Sequence, residues 1–213
     1  MIVTTQKPLD EILDYISPYS NVLIVGCDGC TQPPRGLREA KTLSQLLELG
    51  GKLRNKDFTF KVTTVAKQCD DYLAASALKP QMEGVETVLS LACGIGAQEL
   101  AQLFAEIPTF PAQNTHFMGA EEREGGILEE RCAGCGDCLL ALTGGICPVA
   151  RCSKGLLNGA CGGSKEGKCE LDPKRDCAWI LIYERLKKRG KLELLKEFRP
   201  PRDYQLSGWR VTP

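Results

Sequence analysis

The chain has 213 residues and balances 27 lysines and arginines against 27 aspartates and glutamates, which leaves no broad basic field for a nucleic acid. Its longest apolar runs, such as Val22–Val25 and Ala178–Tyr183, fall far short of the ~20 residues that span a bilayer. The opening stretch "MIVTTQKPLDEIL" lacks the apolar core of a secretory signal, so a cytoplasmic protein without membrane insertion is expected.

The first hundred residues alternate helical and strand patterns. Leu9, Ile12, Leu13 and Ile16 form a helical stripe over 7–16. Val22–Val25 is a short continuous apolar run, as in a strand covered on both faces. A second stripe of Leu37, Ala40, Leu43 and Leu47 runs to Gly50-Gly51, a plausible helix stop. "FTFKVTTV" (58–65) is β-branched and aromatic and reads as a strand. A helix over 70–78, a strand over 85–92 and a helix over 97–107 follow, and "PTFPAQ" supplies a short last strand. This order predicts an α/β domain built on an open parallel sheet with helical crossovers.

In such sheets ligands bind beyond the carboxyl ends of the strands. Cys27 and Cys30 follow the first strand, Cys69 the second and Cys93 the third. Parallel neighbouring strands would therefore bring four thiols to one crevice, able to hold a [4Fe-4S] cluster or a tetrahedral zinc. A free cysteine is often only a small buried hydrophobe, and CxxC beside a βα unit also serves thiol redox enzymes. Neither accounts for thiols repeated at three strand ends. The twelve cysteines could instead form disulfides, but that is a habit of short secreted chains. "GCDG" and "CGIG" do not complete a dinucleotide fingerprint. The single histidine, His116, reads as an ordinary polar residue of a loop.

Residues 113–130, with Gly125-Gly126 and a run of glutamates, read as a linker between the α/β domain (1–112) and a cysteine-rich module (131–198). Cys132, Cys135 and Cys138 repeat the CxxCxxC of bacterial ferredoxins, and Cys147-Pro148 supplies a fourth ligand after a longer gap. Cys152, Cys161, Cys169 and Cys177 form a second set of four, for iron or zinc. A helix after Cys177 presents Trp179, Ile180, Tyr183 and Leu186 on one face, with Gly190 as a break or kink. The tail, 199–213, carries prolines, Tyr204 and Trp209 and reads as an extended segment that docks on a partner.

"CPVARCSKGLLNGACGG", "GKCE", "DCAWILIYERLK" and the "PPRDY" tail resemble the MetV-type small subunit of methylenetetrahydrofolate reductase from acetogens and other anaerobes. The resemblance covers nearly the whole chain. It implies a non-catalytic electron-transfer subunit with two or three [4Fe-4S] clusters, or zinc in place of the last. It implies a MetF-type catalytic partner carrying FMN, within a larger bifurcating or hydrogenase-linked assembly, in the methyl branch of the Wood–Ljungdahl pathway. A zinc-stabilised adaptor that only scaffolds that partner is the alternative. The resemblance transfers only the twelve cysteines as ligands. No flavin or folate site carries over, because a catalytic barrel alone needs about 250 residues.

Overall fold

The structure, a computed structural model, describes residues 1–121 and 126–204. The chain divides into two compact units, 1–117 and 118–213. Among the described residues no helix is long and apolar enough to cross a membrane.

The first unit runs β1 (Ile2–Gln6), α1 (Leu9–Ile16), β2 (Asn21–Cys27), β3 (Thr31–Gln32), α2 (Leu37–Leu53), β4 (Thr59–Val65), α3 (Asp71–Leu78), β5 (Thr87–Ser90), α4 (Gly94–Leu103) and β6 (Thr109–Pro111), and reaches into β7 (Gln113–Glu121). Its sheet has the order β4-β2-β5-β6 and every pairing in it is parallel. The fold is organised around the central strand β2. Alternate residues of "VLIV" point to opposite faces, and both faces are covered. Val22 and Ile24 pack with Ile12, Ile16, Leu43 and Leu47 of α1 and α2. Leu23 and Val25 pack with Ala74, Leu78 and Leu100 of α3 and α4. Leu23, Ile24 and Val25 have no exposed surface, and each such side chain contributes about 1.5–3 kcal/mol relative to exposure.

Three local features differ from the sequence reading. The strand β1 precedes the first helix and pairs in parallel with the two-residue β3. The helix α2 runs through Gly50-Gly51 to Leu53, because those glycines let the helix pack closely. A Cβ on Gly51 would meet the Phe58 ring at 2.7 Å, and one on Gly50 would meet Leu13 Cδ1 at 2.7 Å. The expected linker 113–130 is largely strand: β7 is followed by β8 (Leu128–Cys132), and the two pair antiparallel from Met118↔Cys132 to Glu121↔Leu128. Both strands are half-exposed, so no apolar alternation marked them. His116 consequently lies on β7, not in a loop, with its Nε2 hydrogen-bonded to Thr5 Oγ1 at 2.8 Å.

The second unit continues from β8 through α5 (Pro148–Arg151), β9 (Lys168–Cys169), β10 (Asp172–Asp176) and α6 (Ala178–Lys188). Its core is small: Ile146, Trp179, Ile182 and Leu186. The indole N–H of Trp179 donates to Leu156 O at 2.9 Å. The buried face of α6 is therefore 179/182/186, and Tyr183, expected on it, is 41% exposed. Gly190 ends α6 rather than kinking it. With φ +64 it lets Lys191 N–H reach Leu186 O and its own N–H reach Lys187 O, the double bond of a left-handed helix stop.

Gly26 sets how closely the end of β2 approaches the segment before α2, since a Cβ there would lie 2.7 Å from Gly36 O and 2.8 Å from its carbonyl carbon. Both are backbone atoms that cannot swing aside. Gly26→Ala should destabilise the chain by about 1–3 kcal/mol, the usual cost of overpacking, read as a lower urea midpoint. An unchanged midpoint would mean the strand end is looser than this packing implies.

Candidate metal centres

The parallel register puts three strand ends on one edge. Cys27 pairs with Val65, the last residue of β4, and Val25 pairs with Ser90, the last residue of β5. Cys27 closes β2, and Cys30 lies in the turn just beyond it. Cys69 lies in the loop between β4 and α3, and Cys93 is the N-cap of α4. Cys27 and Cys93 are buried while Cys30 and Cys69 are exposed. Burial pushes the Cys69 thiol above its ordinary value, partly offset by Lys67. Cys93 and Cys27 add to the rise.

Gln68 holds this edge together. It is fully buried, and its amide nitrogen donates to Val25 O at 2.9 Å and Gly26 O at 2.8 Å. Its carbonyl oxygen accepts from Ser90 Oγ at 2.6 Å, and that hydroxyl in turn accepts from Ala92 N–H at 3.2 Å. One side chain thus ties the loop bearing Cys69 to the end of β2 before Cys27 and the end of β5 before Cys93. The fit is tight, because a Cβ on Gly96 would lie 2.8 Å from the Cβ of Gln68.

Two observations bear on whether a metal group suits this edge. A Cβ on Gly29 would sit 3.4 Å from Cys27 Sγ, so glycine there leaves the sulfur accessible. Cys27, Thr31 and Arg35 also line one cleft, in which Thr31 Oγ1 and Arg35 Nε are buried without a hydrogen-bond partner. Unpartnered buried donors are rare in native proteins, and thiolate or sulfide sulfur would accept from them. The residues present fit a sulfur-rich anionic group.

In the second unit, β8 ends at Cys132, and the loop beyond it turns at Gly134 and Gly136, with φ +60 and +78. Gly134 N–H points at Cys132 Sγ, 3.4 Å away, and the Cys135 thiol donates to Asp137 O at 3.3 Å. Cys147 and Cys152 cap opposite ends of α5, about 7 Å apart along its axis at 1.5 Å per residue. Cys152, Cys161, Cys169 and Cys177 all line one small cavity. The register thus delivers the segments bearing Cys27, Cys69 and Cys93 to one sheet edge, with Cys30 in the turn beyond β2, and the last four cysteines line one cavity.

Among the described residues no three His, Cys, Asp or Glu side chains close tightly enough to grip a single ion. Residues 199–203, the start of the expected docking tail, rest on their own unit. Asn158 exchanges hydrogen bonds with the Arg199 backbone at 2.7 and 2.9 Å, and residues 199–203 line a cavity with Asp137, Leu139, Val149 and Leu157. Trp209 and the rest of the tail lie outside the described residues. The sequence reading missed Gln68, Thr31 and Arg35. A glutamine before a cysteine reads as a surface residue, and only the strand register shows that it is buried.

Fold and thiols together define an α/β protein whose parallel sheet edge gathers cysteines, joined to a glycine-rich unit with eight more. Within that class, residues 110–205 match the family model described as methylene-tetrahydrofolate reductase C terminal, which relates that segment to methylenetetrahydrofolate reductase. No curated protein and no solved structure matches the chain.

Gln68→Leu would take the acceptor from the Ser90 hydroxyl and the amide donor from the Gly26 carbonyl, at about 1–3 kcal/mol per buried group left unpaired. The variant should melt earlier and lose metal from the first unit while the second unit keeps its own. Full metal content in the first unit of Gln68→Leu would show that the clamp does not position the thiols.

Proposed function

We propose that the chain is an electron-transfer subunit, acting in the cytoplasm, that passes electrons through [4Fe-4S] clusters to the flavin of a methylenetetrahydrofolate reductase catalytic subunit, in the methyl branch of the Wood–Ljungdahl pathway. The observation that carries this reading is the delivery of Cys27, Cys69 and Cys93 to one edge by three parallel strands, in a chain whose second unit matches the reductase family. Three centres follow from three sets of ligands: Cys27, Cys30, Cys69 and Cys93; Cys132, Cys135, Cys138 and Cys147; and Cys152, Cys161, Cys169 and Cys177.

Zinc needs four sulfurs about 2.3 Å from one point, whereas a [4Fe-4S] cluster binds one thiolate per iron and tolerates a looser ring. When bound, such a cluster supplies one-electron storage and release. The chain's own residues do the rest. Gln68 orients the Cys69 loop, burial of Cys27 and Cys93 keeps water from one side, and the exposed Cys30 and Cys69 leave the other side open to a partner. The second reading, a zinc-stabilised adaptor, is favoured only at the last four cysteines, whose cavity is small.

Anaerobically purified chain should be brown and hold roughly twelve irons, four per set. About eight irons with one zinc would assign zinc to the last set, and fewer than about four would defeat the electron-transfer reading. Cys27→Ser and Cys69→Ser should abolish the same spectroscopic signal, because their strands are parallel neighbours. The chain alone should accept electrons from a strong reductant without reducing folate. Folate turnover without a partner would overturn the assignment.

A further inference from the structure

Of the last four cysteines, Cys169 has the most elaborate surroundings. It ends β9 and opens the turn into β10. Its sulfur lies 3.6 Å from Ser153 Oγ, and Arg175 Nη1 donates to that same oxygen at 3.2 Å. Ser153 follows Cys152 and lines the cavity that all four cysteines share. Cys161 contrasts with it: its thiol donates to the Glu170 carboxylate at 3.3 Å, and that carboxylate is tied to Lys154.

A ligating cysteine is a thiolate and can only accept hydrogen bonds. The direction of the relay is then fixed. Arg175 N–H occupies a lone pair of Ser153 Oγ, and the Ser153 proton points to the sulfur. Four thiolates around either zinc or a [4Fe-4S] core leave a net negative charge, which a guanidinium one hydroxyl away offsets.

We infer that Ser153 and Arg175 are positioning residues of the C-terminal metal centre, acting as one unit that orients the Cys169 thiolate and offsets its charge. The inference rests on the metal reading above but not on which metal is bound. Partners of this kind orient ligands and change metal affinity about 10–100-fold when removed.

The test uses the full chain, metal-loaded under anaerobic conditions and challenged with a chelator, with Cys177→Ser marking which metal belongs to this centre. Ser153→Ala and Arg175→Ala should each release that metal about tenfold faster or more, with an unchanged far-ultraviolet circular dichroism spectrum. Arg175→Lys, which keeps the charge, should recover part of the loss. The double alanine variant should release metal little faster than either single variant, because the two residues form one chain of hydrogen bonds. Wild-type release in either single variant, or fully additive effects, would overturn the inference while leaving the metal reading intact. If Cys177→Ser holds as much metal as wild type, the centre itself is absent and the inference falls with it, while the other two sets still decide the electron-transfer reading.

Discussion

The cysteine edge of the first unit depends on one buried amide. Gln68 is fully buried, and its donors and acceptor are taken up by Val25 O, Gly26 O and Ser90 Oγ. A buried amide without partners would be costly, and one with all of them satisfied specifies a single arrangement. Strand pairing alone brings the ends of β2, β4 and β5 level. Loops beyond strand ends are free to diverge, and it is the Gln68 clamp that fixes the loop of Cys69 against the other two. Gly26 and Gly96 belong to the same design, since any side chain at either would press on the clamp or on the segment leading to α2.

The parallel sheet was legible in the sequence because its strands are buried on both faces. A continuous run such as "VLIV" between stripes at helical spacing marks a strand sandwiched by helices. The convergence of Cys27, Cys69 and Cys93 followed from the strand order alone. The strands β1, β7 and β8 were not legible, since they are short or half-exposed and carry polar residues at most positions. The face of α6 was read one step out of register. Tyr183 and Ile182 compete for the same stripe, and packing against Ile146 selects Ile182. Gln68, Ser153 and Arg175 could not be found by pattern, because each matters only through a neighbour distant in sequence.

The two units hold cysteines by different means. In the first, regular strands set the ligand positions and a large core fixes them, with Cys27 and Cys93 inside it. In the second the apolar core is small, and glycines in left-handed conformation, such as Gly134 and Gly136, shape the ligand loops. Its four-cysteine cavity carries its own charged surroundings, with Lys154, Glu170 and Arg175 about the thiols. The match to the reductase C-terminal family model, residues 110–205, falls largely on this unit.

The most direct test of this account is anomalous diffraction at the iron edge from crystals grown without oxygen. The account predicts one compact group of iron peaks bounded by Cys27, Cys30, Cys69 and Cys93, with Gln68 bridging β2 and β5 beneath it. Electron density showing those four thiols free of iron, or bound to separate ions, would contradict it.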